Sequence, residues 1–142
     1  MKQKLIISAA TAAAIYIAAP LIELVEGVEN KPYMDIAGIP TVCSGITGAD
    51  VVWGKTYSNR ECRNLLEKHI QIHGKHVQDA VTYPITPETR AALISFSYNV
   101  GGSAMRKSTA VKLINQGKIE QGCKALGLWN KATVNGKKVV VK

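Results

Sequence analysis

A chain of 142 residues with 46% hydrophobic composition can bury one respectable core and is too short for two independent domains. Its 18 Lys and Arg against 10 Asp and Glu leave a formal charge of +8, which favours an anionic partner such as nucleic acid, anionic lipid or cell wall. Nucleic acid is disfavoured, because one Phe and two Trp are too few to alternate with the basic residues as a base-stacking surface. Cys43, Cys62 and Cys123 form no CxxC pair, so neither a zinc knuckle nor a thioredoxin-like site is suggested.

The first element follows Lys2 and Lys4. Leu5 to Ile22 is uncharged over 18 residues, which as a helix extends about 27 Å and nearly matches a bilayer core. A cleaved signal peptide needs small residues before its cleavage point, and Ile17 in Ile17-Ala18-Ala19 is too large. Residues 1–22 are therefore expected to form an uncleaved signal-anchor, with a cleaved signal or a core helix as the alternatives. Seven Ala with Ser8 and Thr11 make the span weakly apolar, so insertion is marginal and the anchor can leave the membrane. The Lys pair places the N-terminus in the cytoplasm and the remainder outside it.

Glu23 to Glu29 reads as a short helix continuing from the anchor and ending near Asn30 and Pro32. Tyr33 to Thr47, with Gly38, Pro40, Gly45 and the β-branched Ile39, Thr41 and Val42, predicts a small hairpin or meander. Ser58 with Glu61 is a capping-box pattern that starts a helix running to Val77. Its buried side carries Cys62, Leu65, Leu66, His69, His73 and Val77, with Gly74 as a weak point. Thr86 and Pro87 start a central helix, apolar almost all round from Ala91 to Tyr98 and stopped by Gly101 and Gly102. Two further helices are expected, around Ser108 to Gln116 and Ile119 to Trp129, and Asn135-Gly136 signals a final hairpin.

Cleaving a glycosidic bond with inversion needs one carboxylic acid to protonate the leaving oxygen and a second group to hold and deprotonate a water. Glu26-Gly27 ends the first helix, Asp35 follows nine positions later and Thr41 six beyond that, so a helix end and a hairpin can face one cleft. The run Glu26-Gly27, Pro32-Tyr33, Asp35, Gly38, Thr41 and Gly45 resembles the active-site signature of phage lysozymes, glycoside hydrolase family 24. Arg90 to Gly101 is similar to that family's central buried helix, and Ser108-Thr109 to the start of its next one. The similarity covers roughly residues 24–142.

The resemblance implies an α+β, mainly helical, two-lobed fold: a small β-containing lobe, a long connecting helix and a helical C-terminal lobe, after an N-terminal apolar helix. It implies Glu26 as general acid, Asp35 as the group that positions or activates the water, and Thr41 as a further hold on that water. The chemistry requires Glu26 to be protonated near neutral pH and Asp35 to be ionised. The implied substrate is the peptidoglycan glycan strand, cut between N-acetylmuramic acid and N-acetylglucosamine by a monomer covering residues 23–142. No cofactor or metal is expected.

The anchor ends four residues before Glu26, which resembles the signal-anchor-release endolysins. These are held at the periplasmic face of the inner membrane and activated when a holin or pinholin collapses the membrane potential. No cysteine lies in Leu5 to Ile22, so release or refolding of the anchor, not disulfide exchange, is the expected switch.

Ile46 stands where many members carry a structural His, which puts an ion pair between elements in doubt. Relatives continue past the last hairpin into a further helix, so the chain reads as shortened, and a catalytically impaired wall-binding remnant is the rival reading. Cys43 and Cys62 can still pair, leaving Cys123 alone. His69, His73 and His76 have metal-ligand spacing, but packed or hydrogen-bonded imidazoles are commoner on an apolar face. Trp53, Trp129, Arg106 and Lys107 read as packing or solvated surface rather than sugar or carboxylate contacts.

Overall fold

The computed structural model describes residues 8–127, 131–134 and 137–140, and the architecture is α+β and mainly helical as expected. Helix α1, Ala9–Glu26, is capped by Ser8, whose hydroxyl accepts from the Thr11 amide. Thr11, Ala14, Ile15, Ala18, Ala19 and Ile22 recur at helical spacing and are buried against α2 (Asn59–Ala80) and α3 (Pro87–Val100). The alanines that make the segment a weak bilayer span are what let it lie close to its neighbours. A Cβ added at Gly74 of α2 would stand only 2.8 Å from the Thr11 methyl. Gly74, expected to weaken its helix, is instead the seat of a close helix crossing.

Polar contacts tie both ends of α1 to α2. Gln78 accepts from the Ser8 amide at 2.8 Å and from the Thr11 hydroxyl at 3.2 Å, and Arg63 pairs with Glu23. The opposite face of α1 is apolar as well, with Tyr16, Ile17, Leu21, Leu24 and Val25 exposed. The helix is thus apolar all round and long enough to cross a membrane. Its end corrects the expectation of a helix to Glu29: it stops at Glu26, where Gly27 takes φ +74° and donates to the Glu23 carbonyl, and β1 has begun by Glu29. The expected anchor boundary at Ile22 falls inside α1; residues 5–7 lie outside the described ones.

The meander forms as β1 (Glu29–Met34), β2 (Pro40–Cys43) and β3 (Ile46–Thr47), antiparallel in that order. Pro32 is tolerated because β1 is an edge strand. Val42, Cys43 and Ile46 bury against Tyr57 and Cys62 in a small core of their own.

Helix α2 carries the expected capping box, Ser58 and Glu61 exchanging bonds at 3.0 and 3.2 Å. Cys62 at its start faces the small core, while Leu66, Ile70 and Val77 face the main core, so one helix joins both lobes. Ile46 is buried in the small core and makes no ion pair, while a separate charged contact joins Asp50 to α2: Asp50 accepts from Lys68 and bonds His69, each at 3.0 Å.

Cys43 and Cys62 form a disulfide that ties β2 to α2, and Cys123 is exposed and free. The bridge closes a loop of 19 residues, for which chain-entropy arguments give about 3 kcal/mol of stability. Urea unfolding with and without reductant is expected to show that loss, and coincident curves would mean that the bridge constrains nothing.

Helix α3 starts at the Thr86 cap with Pro87 in its first turn, as predicted, and buries Ala91, Leu93, Ile94, Phe96 and Ser97. Gly101, at φ +92°, ends it, but Gly102 opens a short helix, α4 (Gly102–Arg106), that was expected to be a stop. A side chain at Gly102 would meet His76 at 2.8 Å, which explains the second glycine. Helices α5 (Thr109–Asn115) and α6 (Ile119–Leu126) follow. Strands β4 (Lys131–Val134) and β5 (Lys137–Val140) pair antiparallel with Val134 opposite Lys137, while Trp129, Asn135 and Gly136 lie outside the described residues.

Candidate active site

Glu26 is the last residue of α1, and its side chain leans on the turn between β2 and β3. A Cβ built at Gly45, where φ is +75°, would lie 3.4 Å from Glu26 Oε2. The residue sits at the open edge of the fold, yet the protein around its carboxyl removes enough water to raise the pKa above the ordinary 4.5. Desolvation is the cause, the direction a general acid needs.

Asp35 closes the β1–β2 connection. Its amide donates to the Ile39 carbonyl at 3.0 Å, and its Oδ1 accepts from the Ile39 amide at 2.8 Å. Thr41 is 4% exposed, and its hydroxyl donates to the same Ile39 carbonyl at 2.8 Å. Both residues are therefore oriented by one backbone unit, and a hydroxyl that spends its proton on a carbonyl presents lone pairs to a water. Tyr33, opposite Thr41 in the strand register, completes the wall. Its phenol pKa is raised by burial first and then by the charges of Glu29, Glu26 and Asp35, so it lies within electrostatic reach of both site carboxylates.

Two contributions were not read from the sequence. The Ser44 carbonyl was not read at all, although Gly45 beside it belongs to the family pattern, and Tyr98 was read only as part of the buried helix. The Tyr98 hydroxyl donates to the Ser44 carbonyl at 2.6 Å, and its pKa is raised by burial and then by the charge of Glu26. A tyrosine amid the apolar run of a central helix was the available signal, since a buried phenol usually finds an acceptor.

The family model described as phage lysozyme matches residues 23–141. The chain belongs to the phage lysozyme family. It is 44% identical over 117 residues to the SAR-endolysin of Pseudomonas phage phiKMV, a match spanning 82% of this chain and 72% of that protein. It is also 44% identical over 107 residues to the SAR-endolysin of Bacteriophage PS119, covering 75% of this chain and 64% of that one. Among solved structures, the endolysin from Escherichia coli O157:H7 phage FAHEc1 superposes with a TM-score of 0.73 at 32% identity, over all of this chain and 87% of that one. The family accounts for the two-lobed arrangement and for a lysozyme-type glycosidase.

The three histidines face different partners: His69 bonds Asp50, His73 Nδ1 lies 2.7 Å from Ser97 Oγ, and His76 Nδ1 accepts from Arg106. Among the described residues no three metal-ligating side chains converge. Trp53 is exposed, and Arg106 is engaged by His76 rather than free for a ligand.

Two of these groups give stability a stepwise pH dependence. Burial, then the neighbouring His76 and His69, lowers the His73 pKa from 6.5 to about 4. The unfolded chain therefore takes up a proton that the folded one refuses, and stability falls as pH drops from 6.5 to about 4. Asp50 is held below its ordinary 3.8 by bonds from His69 and Lys68, so its contribution is present at higher pH and lost as pH falls below that value. Urea midpoints against pH are expected to show a shallower first step in His73→Gln and a shallower second step in Asp50→Asn. Parallel profiles would assign the pH dependence elsewhere.

Proposed function

We propose that this chain is an endolysin that hydrolyses the β-1,4 bond between N-acetylmuramic acid and N-acetylglucosamine in peptidoglycan, with inversion, for host cell lysis. The reading rests on one observation: a carboxyl of raised pKa at the end of α1, leaning on the sheet whose hairpin orients Asp35 and Thr41 through Ile39. Glu26 protonates the leaving glycosidic oxygen. Asp35, anchored through Oδ1, takes the proton of the attacking water, and Thr41 helps to hold that water. The charge of +8 favours approach to the anionic wall.

Residues 1–22 act as a signal-anchor and residues 23–142 as the catalytic segment, with the enzyme first at the periplasmic face of the inner membrane and then in the periplasm as a monomer. The two apolar faces of α1 support this. While inserted, α1 cannot offer Ile15 and Ile22 to the main core, where each contributes on the order of 1.5–3 kcal/mol. Release, triggered by a holin or pinholin, lets α1 dock on α2 and α3 and brings Glu26 to the sheet. The enzyme is idle until then.

The test is the turbidity of outer-membrane-permeabilised Gram-negative cells after adding the purified full chain, because α1 supplies part of the core, beside Glu26→Gln. Clearing by the parent alone is expected. No clearing by a folded parent would identify a wall-binding remnant, and equal clearing by both would remove Glu26 as the acid.

A further inference from the structure

We propose that Tyr98 is a positioning residue for Glu26: by donating to the Ser44 carbonyl it holds the Cys43-Ser44-Gly45 turn against the Glu26 carboxyl. The proposal rests on the reading of Glu26 as general acid. It concerns a residue of the main lobe, 54 positions along the chain from the carbonyl it holds.

One residue of the turn has to be held in place. Cys43 takes φ +59°, and a left-handed cysteine persists only when its surroundings impose it, whereas Gly45 at φ +75° is at ease there. Two attachments do so from opposite elements, the disulfide from Cys43 to Cys62 on α2 and the Tyr98 bond from α3. Ser44 is 1% exposed, so a carbonyl deprived of the phenol donor is buried where water reaches it poorly. The turn cannot then keep its place at no cost. Because a Cβ added at Gly45 would come within 3.4 Å of Glu26 Oε2, the glycine borders the space beside the acid, and outward movement of the turn opens that space further to water.

The phenol is itself held. Its ring meets the His73 imidazole edge-on at 5.5 Å, and His73 is fixed by Ser97, which is fully buried. The ionisable groups around this assembly are Glu26 from α1, His73 from α2 with His76 5.7 Å behind it, and Tyr33 from β1 beside Glu26. Burial and the charge of Glu26 keep the Tyr98 proton on its oxygen, so the hydroxyl remains a donor while Glu26 works.

Removing the hydroxyl alone should admit more water around the Glu26 carboxyl, lower its pKa toward the ordinary value and shift the alkaline limb of activity to lower pH. The experiment is wall lysis across pH for the full chain, Tyr98→Phe and Ser108→Ala, the last removing a helix cap remote from the site. Tyr98→Phe is expected to lower kcat by about tenfold with little change in KM and to move the alkaline limb down, while Ser108→Ala leaves the limb where it is. A folded Tyr98→Phe with the parent's kcat and limb overturns the proposal. So does a Tyr98→Phe that behaves like Ser108→Ala, less stable but unshifted.

If Tyr98→Phe does not fold, 3-fluorotyrosine at position 98, which keeps the hydroxyl and nearly the size, decides the matter. Its fluorine resonance is expected to titrate with Glu26 and to stop doing so in Glu26→Gln, and a resonance indifferent to that substitution overturns the proposal. This signal needs no turnover. A chain that clears no cells but shows the linked titration therefore loses the catalytic reading and keeps the positioning one.

Discussion

Glu26→Gln is expected to slow wall clearing by about 10²- to 10⁴-fold, the span that a positioned general acid contributes. Glutamine fills the same space beside Gly45 and cannot give up a proton. The substitution should not destabilise the fold. A carboxyl whose pKa is raised on folding destabilises the folded state wherever it is ionised, so above its ordinary pKa of 4.5 the neutral amide removes a penalty. Glu26→Gln is thus expected to unfold at or above the parent's temperature at neutral pH while losing activity, which separates catalysis from stability. In the parent, activity should be present below the raised pKa and disappear as pH rises through it. Loss of activity accompanied by a lower melting temperature would instead mark Glu26 as a structural residue.

Gly74→Val has the next largest expected effect, and on a different property. Its Cβ would overlap the Thr11 methyl at 2.8 Å, and Thr11 cannot swing aside freely because its hydroxyl bonds Gln78. Overpacking of this kind costs about 1–3 kcal/mol, taken from the contact between α1 and α2. Since α1 is apolar on both faces, a weaker seat in the core should shift it toward lipid. Urea unfolding and flotation with anionic vesicles are the measurements, with a lower midpoint and a larger vesicle-bound fraction expected. A variant with the parent's midpoint would show that α1 does not depend on this crossing.

The main elements were legible because each carried a local signal. Ser58 with Glu61 and Thr86 with Pro87 mark helix starts by hydrogen-bond chemistry confined to one turn, and both helices begin there. The hairpin followed from glycines, Pro40 and β-branched residues, and the three proposed site residues from the pattern shared with a known family. The end of α1 was misjudged by three residues because Val28 and Glu29 are compatible with helix, while Gly27 in the left-handed region and pairing of Glu29 with Cys43 decide otherwise. Gly102 was read as a breaker because a glycine pair is a stop signal locally, whereas its real reason is the His76 ring packed upon it.

The sequence by itself determined the order and type of the elements, the family, and the residue types that can do acid chemistry, since these depend on neighbours within a few positions. Only the tertiary structure decided what surrounds those residues. It raised the pKa of Glu26 by burying its carboxyl partly, and it brought Lys68 and His69 of α2 onto Asp50. It also turned an apolar segment with no preferred face into a core helix by seating Thr11 and Ile15 against Gly74. Each of these is a contact between residues far apart in the chain, and burial, pKa and close packing are set by such contacts rather than by local pattern.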